Sequence, residues 1–157
     1  MKKLFYAFAC VLMSFAMASC TPNEEASAEQ TLVGSWITTK YDWTEMKNGK
    51  VVSSGTEYYD ENYYMLWTYR ADGTFVDMTV EDEDDAYQYV GTWVATSDKL
   101  YMNYKGEAYN QKYEWSNVYN ISRLSSTTLV LKFTEVEIES DGTKKEEVIE
   151  YTFTKKK

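Results

Sequence analysis

The sequence predicts an all-β domain, an eight-stranded antiparallel up-and-down barrel, and three observations carry that expectation. Composition is the first: the chain has 15 Tyr, 5 Trp and 6 Phe, and all but Phe5, Tyr6, Phe8 and Phe15 lie beyond residue 19, among many Thr and Val. Aromatic and β-branched side chains suit a pleated, half-buried surface. Punctuation is the second. Runs of alternating character are broken at Asn48-Gly49, Ser54-Gly55, Asp72-Gly73, Ser97-Asp98, Ser125-Ser126 and Asp141-Gly142, and Asn-Gly and Asp-Gly favour the positive φ angles of tight hairpins. Third, the single proline, Pro22, precedes the patterned region, and no helical period is evident after it.

The chain opens with Met1-Lys2-Lys3 and an apolar run from Leu4 to Met13, a secretory signal pattern too short for the ~20 residues that span a bilayer. Met17-Ala18-Ser19-Cys20 resembles the lipobox of bacterial lipoproteins, which implies cleavage after residue 19 and acylation of Cys20. Acyl chains then tie the protein to a membrane without spanning it. Cys10 leaves with the leader and Cys20 takes the lipid, so no internal disulfide is expected. Residues 20–30 read as a lipidated flexible tether, and 31–157 as one domain. Glu24 and Glu25 resemble the signal that carries lipoproteins of some Gram-negative gut bacteria to the cell surface; equally, they suit a polar linker. The expected address is the outer membrane, with periplasmic and surface-exposed placements both open.

Eight strands are expected at 33–43, 62–71, 74–81, 86–96, 99–105, 111–123, 127–138 and 144–154. Period-two patterning places Tyr113, Trp115, Tyr119 and Ile121 on one face of the sixth, Leu129, Leu131 and Phe133 on one face of the seventh, and Ile149, Tyr151 and Phe153 on one face of the eighth. The apolar parity of the seventh shifts to Val136 and Ile138, which suggests a bulge near Thr134-Glu135. Eight such strands leave two exposed edges unless the sheet closes, which favours a barrel. A two-sheet sandwich is the alternative.

Leu32-Val33-Gly34-Ser35-Trp36 resembles the Gly-x-Trp opening of the lipocalin superfamily, whose tryptophan plugs one end of the barrel. With Tyr69-Arg70-Ala71-Asp72-Gly73-Thr74-Phe75, Gly91-Thr92-Trp93, Leu100-Tyr101-Met102 and Tyr119-Asn120-Ile121 ahead of Leu129-Val130-Leu131, residues 31–155 are similar to lipocalin-like domains in small lipoproteins of gut Bacteroidota. The resemblance implies structural roles for Gly34 and Trp36, offers Arg123 as the arginine that covers the plug, and implies a small hydrophobic or amphipathic ligand. Unlike true lipocalins, the sequence shows no helix after its last strand. The second Gly-x-Trp, 57 residues on, reads as a duplication or as a repeated need for close backbone approach beside an aromatic.

The formal charge is −9, and losing Lys2 and Lys3 with the leader makes it more negative by two. That argues against nucleic-acid partners. The chain has no histidine and its domain no cysteine, which removes imidazole-assisted nucleophiles, histidine-zinc sites and thiol chemistry. Asp77, Glu57 and Glu114 could face a cavity as glycosidase-like carboxylates, but nothing in the sequence fixes a pair, so no enzyme activity and no cofactor is expected. The acidic run Glu81-Asp82-Glu83-Asp84-Asp85 lacks the spacing and central glycine of an EF-hand and reads as a solvated hairpin loop with no metal.

Tyr63, Trp67, Tyr87, Tyr89, Trp93, Tyr113, Trp115 and Tyr119 form the candidate ligand-binding set. Lining a barrel mouth, they offer apolar walls with polar tips; packed inward, they fill a small barrel. Two functions follow. One is a lipid-anchored envelope protein carrying a small hydrophobic or amphipathic ligand; the other is a filled-barrel accessory lipoprotein that contacts another envelope protein.

Overall fold

A computed structural model describes residues 27–157 apart from 83, 84, 109 and 110. The leader, Cys20 and the centre of the acidic run lie outside the described residues. Among the described residues, nine strands make one antiparallel sheet: β1 (Gly34–Lys47), β2 (Lys50–Tyr58), β3 (Tyr64–Tyr69), β4 (Thr74–Asp82), β5 (Asp85–Ala95), β6 (Lys99–Ala108), β7 (Gln111–Leu124), β8 (Thr128–Ile138) and β9 (Lys144–Lys155). Pairing of β9 with β1 over Trp36–Lys47 closes the sheet. The expected barrel is therefore present, and the sandwich is excluded.

Nine strands make eight staves because β2 and β3 share one edge of β1. β3 pairs with Gly34–Ile37 and β2 with Lys40–Lys47. Between them Asp60 Oδ1 accepts from the Asn62 and Tyr63 backbone N–H groups at 2.8 and 3.0 Å, holding a short excursion of the chain. β2 was not expected from the sequence, and β1 runs four residues past its expected end. Lys50–Tyr58 has no clean alternation because only its β1 edge is paired. The turn before it uses Asn48 (φ 49°) and Gly49 (φ 75°), the geometry that Asn-Gly favours.

The two ends of the barrel differ. At the end carrying the turns near residues 71–73, 97–98 and 125–127, every neighbouring stave pairs. Toward the other end three seams open. β5 pairs with β6 only over Gly91–Ala95, β7 with β8 only over Asn120–Leu124, and β3 with β1 only over Leu66–Tyr69. The buried core follows the closed end: Trp36, Trp67, Tyr69, Phe75, Leu100, Leu131 and Phe153 are almost wholly enclosed. Full burial of such side chains contributes about 1.5–3 kcal/mol each.

A short helix, α1 (Ala28–Leu32), lies at this end. Ser27 accepts from the Gln30 N–H while the Gln30 side chain accepts from Ser27 N–H, a reciprocal cap. Residues 28–30, expected as tether, are thus part of the folded unit, and Leu32 is fully buried. The Trp36 indole donates to the Leu32 carbonyl at 2.7 Å. The cation over its ring is Lys155, with Nζ 5.0 Å from the centroid and 2.9 Å from the Thr31 carbonyl it donates to. Lys155 takes the place the resemblance assigned to Arg123, which is exposed. Gly34 (φ 128°) lies against the Lys155 side chain.

No bulge occurs at Thr134-Glu135, since β8 and β9 stay in register from Thr128 to Ile138. The inward face simply continues from Phe133 into Glu135 and Glu137. Val136 and Ile138 point outward and are 51% and 70% exposed. What resembled a change of parity is the point where β8 leaves β7, so the inner face meets water instead of core.

Candidate functional site

Above the core, the open end is walled by aromatic rings on two sides. On one side β5, β6 and β7 bring together Tyr89, Tyr104, Tyr113 and Trp115. Tyr104 and Trp115 stack at 4.7 Å with 13° between their planes. Tyr89 meets Tyr113 and Trp115 edge-on at 5.1 Å each, and Tyr87 continues the wall 6.0 Å from Tyr89. Opposite, Tyr59 stacks on Tyr63 at 5.0 Å, and Tyr41 lies 5.7 Å from Tyr59 and 6.0 Å from Tyr151. Trp67 and Tyr119, edge-on at 5.4 Å, form the floor between them.

The β5–β6 seam is built by two glycines. A Cβ on Gly91 would overlap the Asn103 carbonyl oxygen, and one on Gly106 would overlap the Tyr113 hydroxyl. Tyr113 crosses over Gly106, and its hydroxyl accepts from the Val90 N–H at 2.9 Å. That N–H lies on β5 beyond the last pair with β6, so a side chain satisfies a donor the sheet has abandoned. An outward groove of about 740 Å³ follows this seam, and Phe75, Gly91, Tyr104 and Trp115 line it. A second recess, of about 630 Å³, lies at the rim among Glu45, Glu135, Glu137, Glu147 and Lys145.

Asp77 stands at the floor. Cross-strand register sets it between Trp67 on β3 and Tyr89 on β5. Its Oδ2 accepts from the Tyr104 hydroxyl at 3.0 Å. Its Oδ1 and the Trp67 Nε1 are buried and have no hydrogen-bond partner among the described residues. Burial pushes the Asp77 carboxyl up to about 6, against the opposing pull of Tyr104 and the nearby Trp67 indole. Burial likewise raises the Tyr104 and Tyr119 hydroxyls, so both are neutral donors at neutral pH. Tyr41, Tyr87 and Tyr151 are each pushed up to about 12, burial being the largest cause.

Of the eight aromatic candidates, Tyr87, Tyr89, Tyr113 and Trp115 share one wall, Tyr63 belongs to the other, and Trp67 and Tyr119 form the floor. Trp93 is elsewhere: its indole donates to the Arg70 and Thr74 carbonyls at 3.1 and 3.0 Å beneath the β3–β4 turn. Among the carboxylates, Glu114 pairs with Lys105 at 3.1 Å, both well exposed. Glu57 lies by Tyr41, and Asp77 is on the floor with no second carboxylate shifting its proton affinity. Tyr41, Tyr59, Tyr104 and Tyr151 join the walls without belonging to the set expected from the sequence. Tyr104 was findable, because it continues the parity of Leu100 and Met102. Tyr59 carried no such signal, since it lies in the excursion between β2 and β3.

Comparison with solved structures matches the fold. A lipocalin-like protein from Bacteroides uniformis superposes with a TM-score of 0.54 at 17% identity, covering 80% of this chain and 99% of that one. An uncharacterized protein from Bacteroides eggerthii gives 0.48 at 14% identity over 80% and 99%. Bovine odorant binding protein in complex with a selenium-containing odorant gives 0.42 at 20% identity over 87% and 77%. No curated protein matches the chain. Residues 32–131, more than half of the sequence, match the lipocalin-like domain. With that match and an eight-staved barrel plugged at Trp36, the chain belongs to the lipocalin-like domain family.

Proposed function

We propose that this chain is a lipid-anchored envelope protein whose barrel binds a small amphipathic molecule in its open end. The observation that carries this reading is the contrast inside one barrel: side chains fill the closed end, whereas two aromatic walls flank the open one. Rings with polar tips suit a ligand that is apolar along its body and polar at one point. Anchoring rests on Cys20 within Met17-Ala18-Ser19-Cys20. Glu24 and Glu25 favour delivery to the outer membrane and its cell surface. Incorporation of labelled palmitate, abolished by Cys20→Ala, is the expected result for the anchor.

Ligand binding is tested with N-phenyl-1-naphthylamine and leaderless protein of residues 21–157, which holds every strand of the closed barrel. Saturable fluorescence enhancement that Trp115→Ala and Tyr89→Ala weaken supports the carrier. Enhancement that never saturates, or that ignores both substitutions, counts against it. The accessory reading has one observation in its favour. Val94, Tyr101 and Val118 are cross-strand neighbours on β5, β6 and β7 and form an exposed apolar row on the outer face. Loss of a co-purifying envelope protein on Tyr101→Lys, with no probe binding at all, would favour that reading.

A further inference from the structure

From the place where the chain enters the barrel, we infer that the closed end is the membrane-facing surface of the anchored protein. The aromatic mouth then opens away from the bilayer, and its ligand arrives from the aqueous side. This rests on the anchored-carrier reading above and specifies where the ligand comes from.

The link is short and its attachment point is fixed. Ser27 caps α1, Leu32 is fully buried, and the Trp36 indole donates to the Leu32 carbonyl, so the folded chain begins beneath the plugged end. Cys20 lies seven residues before Ser27. A fully extended chain covers about 3.3–3.6 Å per residue, which limits the reach of that link to about 25 Å whatever path it takes. β1 has 14 residues. With a rise of about 3.3 Å per residue and a tilt of about 35–45°, its far end stands about 30–35 Å above Gly34 along the barrel axis. Resting the mouth on the bilayer would lift Ser27 farther from it than the link extends. Upright or on its side, the anchored barrel leaves its mouth to the medium.

Charge separates the two ends in the same sense. Arg70, Lys99, Arg123, Lys155, Lys156 and Lys157 gather at the closed end against Glu29, Asp72 and Asp98, although the whole chain carries −9. None of these six cations forms an ion pair among the described residues, whereas Lys105, Lys144 and Lys145, toward the mouth, pair with Glu114, Glu146 and Glu139. Cations beside a lipid anchor are drawn to anionic headgroups, and the acidic remainder of the barrel is repelled by them. Glu24 and Glu25 in the link oppose that attraction, so the length of the link, rather than charge, sets the orientation.

The test supplies the anchor chemically. Protein of residues 20–157 keeps Cys20 as its single cysteine, and that thiol is coupled to maleimide-headgroup lipid in vesicles of phosphatidylcholine and phosphatidylglycerol. The vesicles also carry a lipid with a succinimidyl-ester headgroup, which acylates lysines only at the membrane surface. Mass spectrometry maps the adducts, each normalised to the same lysine's reactivity toward a soluble succinimidyl ester. Lys156 and Lys157 should react at least about tenfold more than Lys50 and Lys112, which follow the open-end turns, because the link holds only the closed end at high local concentration of the ester. Inserting about twenty Gly/Ser residues after Ala26 should bring that ratio close to one. Equal adducts at both ends, adducts favouring Lys50 and Lys112, no adducts, or a ratio that ignores the insertion overturns the orientation. Each of these leaves the anchor and the carrier standing, because palmitate labelling in cells and probe binding decide those separately.

Discussion

The closed and open ends of this barrel are made by the same strands, yet they are held together by different means. At the closed end, strand pairs continue around the circumference and large side chains fill the interior, with α1 and Lys155 sealing Trp36. At the open end, hairpins stand apart along three seams, and isolated devices do the holding, such as the Tyr113 hydroxyl on the Val90 N–H. The lesson is that strand pairing alone does not define the rigid part of the molecule. Burial does, and apart from Tyr104 it is concentrated toward one end, which frees the other to keep polar and aromatic groups that contribute less to stability.

The comparison breaks most sharply by truncation at the closed end. Phe153→Ala, at a fully buried site beside Trp67, should cost about 3–5 kcal/mol in urea denaturation. Tyr87→Ala at the open end should stay within about 1 kcal/mol, because that ring is only partly buried. Equal losses would erase the distinction.

Gly91→Ala tests where the closed end stops. A Cβ there drives into the Asn103 carbonyl, at the last paired position of β5 with β6, and overpacking of this kind costs about 1–3 kcal/mol. A neutral result would mean that the seam is loose where the backbones look tight.

Asp77→Asn should go the other way. Burial raises the folded-state pKa of Asp77 from its ordinary 3.8 to about 6, so the folded chain binds that proton more tightly than the unfolded chain does. Ionisation of Asp77 therefore subtracts stability as pH rises through about 6, and the penalty is absent below about 4. Removing the charge should stabilise the unliganded protein by about 1–3 kcal/mol at pH 7.5. The gap between wild type and variant should close by pH 4. An unchanged gap across that range would show that Asp77 does not titrate as its burial implies.

The smallest effect belongs to Tyr113→Phe. Losing the hydroxyl leaves the Val90 N–H without its acceptor and should cost about 0.5–1.5 kcal/mol, with faster hydrogen exchange at Val90 than at Trp93. Unaltered exchange would remove Tyr113 as the clasp of the seam.

Much of this contrast was written in the sequence, though not its location. Leu100, Met102, Leu129, Leu131 and Phe153 alternate cleanly because each faces a packed interior, so their strands were legible. β2 was not, because a strand paired on one edge at a solvated end has no reason to alternate. In β8 the same solvation replaced inward apolar residues by Glu135 and Glu137 and imitated a bulge. The Ser27-Ala28-Glu29-Gln30 cap was present as a motif, but five helical residues in a polar stretch carry no periodicity to support it. Aromatic spacing identified inward faces without telling floor from wall, which is why Trp93 entered the candidate set and Tyr104 did not. The role of Asp77 depends on atoms from β3, β4 and β6 meeting in space, which no local pattern records.

Native-state hydrogen exchange of leaderless protein, with and without N-phenyl-1-naphthylamine, tests the two-ended account most directly. The expected result is that amides of Trp36, Leu100 and Phe153 exchange only through global unfolding, while those of Glu45, Tyr87 and Glu135 exchange through local opening. The probe should slow exchange at Tyr87 and its neighbours on the aromatic wall. Uniform protection along every strand, unchanged by the probe, would contradict the account.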